Sequence, residues 1–268
     1  MSKIEERPVP DEQIRAVTRL VQLVDTLRLH CPWDRKQTIE TLTPHLLEEC
    51  HEFAEAVAKA DSENSCEEIG DLLMGAFMVA RVADDEGKFN IVQICDRVCD
   101  KLIRRHPHVY GEVEVADGDE VLQNWEQIKK EEKANDGEPK SALSGVPVAM
   151  PALLRAYRVG QKASNCGFDW PDIAGPMSKI EEEYSELKDA IAEGDQQQMA
   201  SELGDLLFAI TNVARKIGVE PEMALRSTIN RFTTRFNYVE EKLGASMASA
   251  SLEEMDSAWD EAKLKEKA

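Results

Sequence analysis

The chain has 268 residues, 52 Asp and Glu against 32 Lys and Arg, and a formal net charge of −20. That balance repels nucleic-acid backbones and anionic membranes, which excludes both as expected partners. A phosphate-bearing small ligand stays compatible, because a bound cation can reverse the local field. The length leaves room for two domains with their own cores.

In chain order, Ile14, Val17, Leu20, Val21, Val24 and Leu27 recur at helical spacing and predict an amphipathic helix that stops near His30. Cys31-Pro32-Trp33-Asp34 follows, and Thr43-Pro44 reads as an N-cap with proline at the first helical position. The helix so opened carries Leu46, Leu47, Glu48, Glu49, Glu52, Phe53 and Val57. A polar turn leads to Glu67-Glu68-Ile69-Gly70-Asp71 and the apolar run Leu72 to Ala80. Gly87 closes that helix, and Asn90 caps the next, through Ile91, Ile94, Val98 and Leu102. Pro107 breaks it, and a further helix with Trp125 and Lys129 runs to about Ala134. His106 and His108 read as packing at that helix end.

Residues 135–150 shift to Gly, Pro, Ser and Lys and form the expected linker. Organisation then begins again, with a helix from about Pro151 to Lys162, Cys166-Gly167-Phe168-Asp169, and an acidic hairpin. A helix after Pro221 and a last one with Trp259 and Lys263 complete the chain. Alternating β-branched runs are nearly absent, so the fold class is all-α. No apolar run has the form of a signal peptide or a membrane span, and the six cysteines include no CxxC pair. A reduced, cytoplasmic protein is expected, with several cysteines buried; Cys95 and Cys99 read as core.

The hairpin, Lys179 to Asp205, is the chemically densest stretch. Residues three and four apart share a helix face, so Glu182, Glu183 and Glu186 fall together, as do Glu202 and Asp205. Gly194 and Asp195 suit a turn between two helices. Folded back, the hairpin gathers carboxylates that need a counter-charge, and magnesium is the expected one, with manganese as substitute. Glu183, Glu186, Glu202 and Asp205 are the candidate metal ligands.

The second half repeats the first at an offset of 134: Glu48, Glu49, Glu52, Glu68 and Asp71 answer Glu182, Glu183, Glu186, Glu202 and Asp205. Trp125 and Lys129 answer Trp259 and Lys263 at the same offset, and CPWD (31–34) answers CGFD (166–169) one residue out of step. A basic pair at i, i+4 recurs as Lys101/Arg105 and Arg231/Arg235. The chain is a tandem duplication: helical-bundle repeats at 11–134 and 151–268 with the linker between. Carboxylates, a basic pair and an aromatic ring are what a nucleoside triphosphate needs, and neither a GxxxxGK[ST] loop nor a GxGxxG loop supplies an alternative phosphate cradle. Two other readings stay open: a di-iron bundle, from the Glu48-x-x-His51 spacing that Ser185 breaks in the second repeat, and a non-catalytic helical scaffold.

EExxE at Glu182, Glu183 and Glu186 with ExxD at Glu202 and Asp205 resembles the motif of the all-α nucleoside triphosphate pyrophosphohydrolases. With CPWD, RRHPHV (104–109), NWEQIK (124–129) and GFDW (167–170), the chain is similar to the tandem, MazG-type members of that family. The resemblance implies magnesium-dependent hydrolysis of nucleoside triphosphates to monophosphate and pyrophosphate in a homodimer. It implies a working site lined by Lys179, Glu182, Glu183, Glu186, Glu202, Asp205, Arg231, Arg235, Trp259 and Lys263. Catalysis is expected in the second repeat, by a metal-activated water attacking the phosphorus nearest the sugar, with broad base specificity. Glu48, Glu49, Glu52, Glu68 and Asp71 then form a degenerate first site, where His45 stands for Lys179.

Overall fold

A computed structural model of the chain describes residues 7–135 and 141–266. The chain divides into two compact units, Met1–Gly137 and Glu138–Ala268. Among the described residues every regular element is helical. The first unit holds α1 (Asp11–His30), α2 (Ile39–Ala58), α3 (Ser62–Asp85), α4 (Ile91–Arg105), the short α5 (Pro107–Tyr110) and α6 (Gly118–Asn135). The second holds α7 (Ala152–Ser164), α8 (Ala174–Glu193), α9 (Gln196–Lys216), α10 (Pro221–Leu243) and α11 (Leu252–Lys265).

Each unit is built round a helical hairpin, α2 with α3 and α8 with α9, against which the preceding helix packs. In the first unit Val24 of α1, Leu42 of α2, and Met78 and Val82 of α3 form the buried core, with Leu20, Ile39, Met74 and Phe77 around it. The second unit buries smaller groups: Ala190, Ala209, Ala214, Ala258 and Ala262, with Val239.

Two local readings need correction. α2 starts at Ile39, five residues before Pro44, because Thr38 and Thr41 form a reciprocal capping box. Pro44 sits inside the helix, where it forgoes one backbone hydrogen bond near the N-terminus. The cysteines are also not core: Cys31 is half-buried and the other five, Cys95 and Cys99 included, are exposed. Helical periodicity identifies the apolar face of α4 but not whether anything covers it, and Val98 and Leu102 on that face are themselves about two-fifths exposed (38% and 40%).

The two hairpin turns show what the duplication has kept and changed. Gly194 ends α8 at φ 76°, and Asp195 accepts hydrogen bonds from the amides of Gln197 and Gln198 to open α9. At the equivalent place in the first repeat Asp61 caps α3 in the same way, but Ala60 takes the left-handed position, at φ 55°. A Cβ there is penalised, whereas glycine adopts the conformation freely. Ala60→Gly should therefore raise the unfolding free energy of the first unit by about 0.5–1 kcal/mol, the left-handed penalty less the entropy that glycine loses. Urea denaturation followed by circular dichroism measures it; a destabilised variant would contradict the strain.

Candidate active site

The acid group of the second repeat grows out of the seam between α8 and α9. On α8 the residues turned inward are Ile180, Glu183, Leu187 and Ala190, a 3–4–3 spacing in which a carboxylate takes a core position. Tyr184 and Ile191, beside them in sequence, are exposed instead. On α9, Glu202 takes the facing place. Glu183 is 4% and Glu202 7% exposed, and one carboxylate oxygen each from Glu183, Glu186 and Glu202 lie within 4.8 Å of one another.

Lys179 reaches this group from one turn back, with its Nζ 2.6 Å from Glu183 and 2.8 Å from Glu182. Those two hydrogen bonds raise the Lys179 ammonium well above its ordinary value, so it is a fixed positive charge. Gln198 Nε2 donates to Glu202 Oε1 at 2.6 Å. Burial pushes the Glu202 carboxyl up, and the charges of Glu186, Glu183 and Asp205 push it further. Asp205 thus acts on the group by its field while standing outside the close triad, and Glu182 is exposed on the Lys179 side. An all-oxygen donor set, two of whose members are out of water and crowded by like charge, fits a hard divalent cation.

The first repeat assembles a looser version. Glu49, Glu68 and Asp71 converge within the same 4.8 Å, all half-buried, while Glu52 stays outside the triad. Burial and the neighbouring acids raise both Glu49 and Glu68. Glu48 faces His45 Nδ1 at 3.8 Å, where the second repeat has Lys179. His45 also meets the Trp33 ring edge-on at 5.8 Å.

The basic and aromatic residues form a separate group in each unit. Arg235 on α10 donates to Glu266 at 2.6 Å from Nη2 and 3.0 Å from Nε, and its guanidinium lies 5.7 Å over the Trp259 ring. Phe232 packs on the same indole at 5.0 Å. Arg231 donates to Ser227 and Thr228 on its own helix, and Lys263 pairs with Asp260 at 2.9 Å. In the first repeat Arg105 pairs with Glu132 at 2.6 Å and lies 5.4 Å over Trp125, which His106 also touches. The glutamates of these triads, 132 and 266, escaped the sequence reading although they obey the offset of 134. Among the described residues no hydrogen bond or ion pair joins Arg231, Arg235 or Lys263 to the acid triad.

Comparison with known proteins follows the duplication. The model of the MazG nucleotide pyrophosphohydrolase domain matches twice, over residues 37–110 and 175–240. A nucleoside triphosphate pyrophosphohydrolase of Escherichia coli K12 is 38% identical over 260 residues, 93% of this chain and 98% of the relative. The nucleoside triphosphate pyrophosphohydrolase/pyrophosphatase MazG of Thermotoga maritima is 41% identical over 250 residues, 91% of this chain and 94% of the relative. A solved MazG-related protein from Thermotoga maritima aligns with 42% of this chain and 98% of its own at 35% identity and a TM-score of 0.39.

The Arg–Trp–Glu triads carry a pH signature. Hydrogen bonds from Arg105 and Arg104 lower the Glu132 carboxyl from an ordinary 4.5 to about 2. A carboxyl depressed in the folded state stabilises above its unfolded value and loses that contribution as pH falls through the folded one. Glu132→Gln should therefore be less stable than the parent at neutral pH, with the gap closing as pH drops from 4.5 towards 2. Thermal melts of both proteins across that range test it; a gap that stays constant would mean the loss is one of packing.

Proposed function

We propose, for a chain that belongs to the MazG nucleotide pyrophosphohydrolase family and is thus a hydrolase of phosphoric anhydrides, that the acid group on α8 and α9 is where a nucleoside triphosphate is split. The products are nucleoside monophosphate and pyrophosphate. The observation that carries this reading is the convergence of Glu183, Glu186 and Glu202, two of them buried, with Lys179 fixed at their edge.

Glu183, Glu186 and Glu202, with Asp205 beside them, would hold magnesium, or manganese in its place. When bound, the ion would neutralise charge on a polyphosphate and make a water more acidic, and so easier to convert to a nucleophile. The chain's own residues do the rest. Lys179, held by Glu182 and Glu183, offers a cation to phosphate oxygens. Glu182, the exposed carboxylate of the set, can accept the proton of a water aimed at the phosphorus nearest the sugar. Arg231, Arg235 and Lys263 supply further cations for the polyphosphate, and Trp259 positions the Arg235 guanidinium against its ring. Glu183 and Glu202 are themselves out of water, which strengthens their interaction with any charge brought against them.

Three differences support the second repeat as the working one: its two central glutamates are more deeply buried, a lysine stands where the first has His45, and its basic pair follows the acids at shorter range. A homodimer is supported by apolar residues left uncovered on the hairpin, with Tyr184, Ile191 and Leu203 each at least half exposed. Free nucleotides of the cytoplasm, of any common base, are the proposed substrates, and nucleic acid is not.

Incubated with nucleoside triphosphate and magnesium, the protein should release pyrophosphate as its main inorganic product, and chelation should stop it. Glu183→Ala and Asp205→Ala should each lower kcat on the order of a hundredfold or more, the usual consequence of removing a group that stabilises transition-state charge. Glu49→Ala and Asp71→Ala should keep most of the activity. Orthophosphate as the main product, or equal losses from both pairs, would reject the assignment.

A further inference from the structure

The two acid triads are not made of equivalent residues. In the second repeat Glu202 converges with Glu183 and Glu186, both on α8, and Asp205 stays outside. In the first, Glu68 converges with Glu49 of α2 and with Asp71 of its own helix, while Glu52, the counterpart of Glu186, stays outside. The side-chain pairing shifts in the same sense. Glu202 is hydrogen-bonded to Glu186, and Glu68 to Glu49, the counterpart of Glu183. The acids themselves do not account for this exchange, because every one of their positions carries the same residue type in both repeats.

A difference that does account for it lies one turn earlier, on the second helix of each hairpin. Gln198 and Asn64 stand at the same helical position, each donating its backbone N–H to the capping aspartate, Asp195 or Asp61, at 3.1 Å. Their side chains differ by one methylene. Gln198 spans the turn to Glu202, four residues on, where its Nε2 donates to Oε1 at 2.6 Å. Asn64 is shorter, and among the described residues no hydrogen bond joins its side chain to Glu68. From Glu202, Gln198 lies on the side of the hairpin turn and Asp205 on the other side, all three on one helix face. The helices fold back on each other at Gly194 and Asp195, so Glu186 is nearer that turn than Glu183. A hold from Gln198 therefore carries the Glu202 carboxylate towards Glu186 and away from Asp205. Without such a hold, Glu68 falls back to Glu49 and Asp71.

We propose that Gln198 is a positioning residue: by holding Glu202 it decides which carboxylates of the hairpin meet the divalent cation. The inference rests on the acid group being the cation site. Lys179 and Gln198 then have separate tasks. Lys179 brings charge to Glu182 and Glu183, whereas the neutral amide of Gln198 brings direction to Glu202. A carboxylate with one oxygen already held loses less orientational freedom when it takes up an ion, and hydrogen-bond partners of this kind tune metal affinity. Gln198 is itself exposed, so replacing it removes no packing from the core. The first repeat keeps the acids and lacks the hold, which leaves it a triad of different composition.

The test uses the full-length chain with Glu49→Ala, which breaks the first repeat's triad so that it adds no second site. Manganese alone, without nucleotide, is titrated while the electron paramagnetic resonance signal of the free ion is followed. Gln198→Met keeps the length and loses the donor, and Gln198→Asn copies the first repeat. Each should weaken manganese binding about tenfold to a hundredfold. The second readout is the ranking of the acids. With Gln198 in place, Glu186→Ala should weaken manganese binding more than Asp205→Ala does; combined with Gln198→Asn, the ranking should reverse. A merely structural contribution of Gln198 would leave that ranking as it was. Unaltered affinity in both Gln198 variants, or an unreversed ranking, overturns the proposal, and weakened binding in Glu183→Ala then leaves the acid group standing as the cation site. Manganese held as tightly by Glu183→Ala as by the parent would instead overturn the reading of the acid group itself.

Discussion

The second unit turns on the placement of two carboxylates where a helical hairpin ordinarily puts leucines. Glu183 and Glu202 face each other across α8 and α9 at positions that helical periodicity assigns to the core. Burying charge costs free energy unless something compensates, and crowding like charges adds to the cost. Lys179 and Gln198 offset part of it from within the chain. A cation held as proposed would offset more of it, so the hairpin is an imperfect core with room for a counter-charge. The alanine-rich packing of the rest of the unit lets the two helices come close enough for that convergence.

Much of this was legible in the sequence, and for local reasons. The spacing of EExxE and ExxD follows from the 3.6-residue period, and the Gly194–Asp195 turn from the chemistry of helix ends, so the hairpin could be drawn before any coordinates. The duplication was visible because its marks are rare residues at a constant offset. What escaped was whatever depends on a distant neighbour. Nothing near Cys95 says that the face of α4 it occupies lies open. Glu132 and Glu266 looked like any solvated glutamate until an arginine and an indole arrived from other helices. The start of α2 was misplaced because Thr43-Pro44 carries the stronger textual signal, whereas the Thr38/Thr41 box acts through paired hydrogen bonds that the letters alone do not rank.

Comparing the repeats separates scaffold from specialisation. The Arg–Trp–Glu triad, the acid triad and the capped hairpin turn persist in both, so they belong to the shared architecture. The differences concentrate in what surrounds them: Met78 against Asn212 in the core, and His45 against Lys179 beside the acids. A duplicated fold can diverge at such places cheaply, because each exchange is a change of volume or charge in one wall and leaves the helix register intact.

Gly160 shows how unevenly the packing of the second unit responds to mutation. Its missing side chain leaves room for Asn212 and for Arg215, and Arg215 in turn grips Asp169 in the loop between α7 and α8. A single added methyl would therefore press on two side chains at once, one of which holds Asp169, although it touches no residue of the loop. Substitution at Phe168 leaves the framework intact, while at Gly160 the framework itself yields. The second unit thus tolerates change where its loop meets solvent and resists it where α7 meets α9, a contact that the loop's own sequence does not contain.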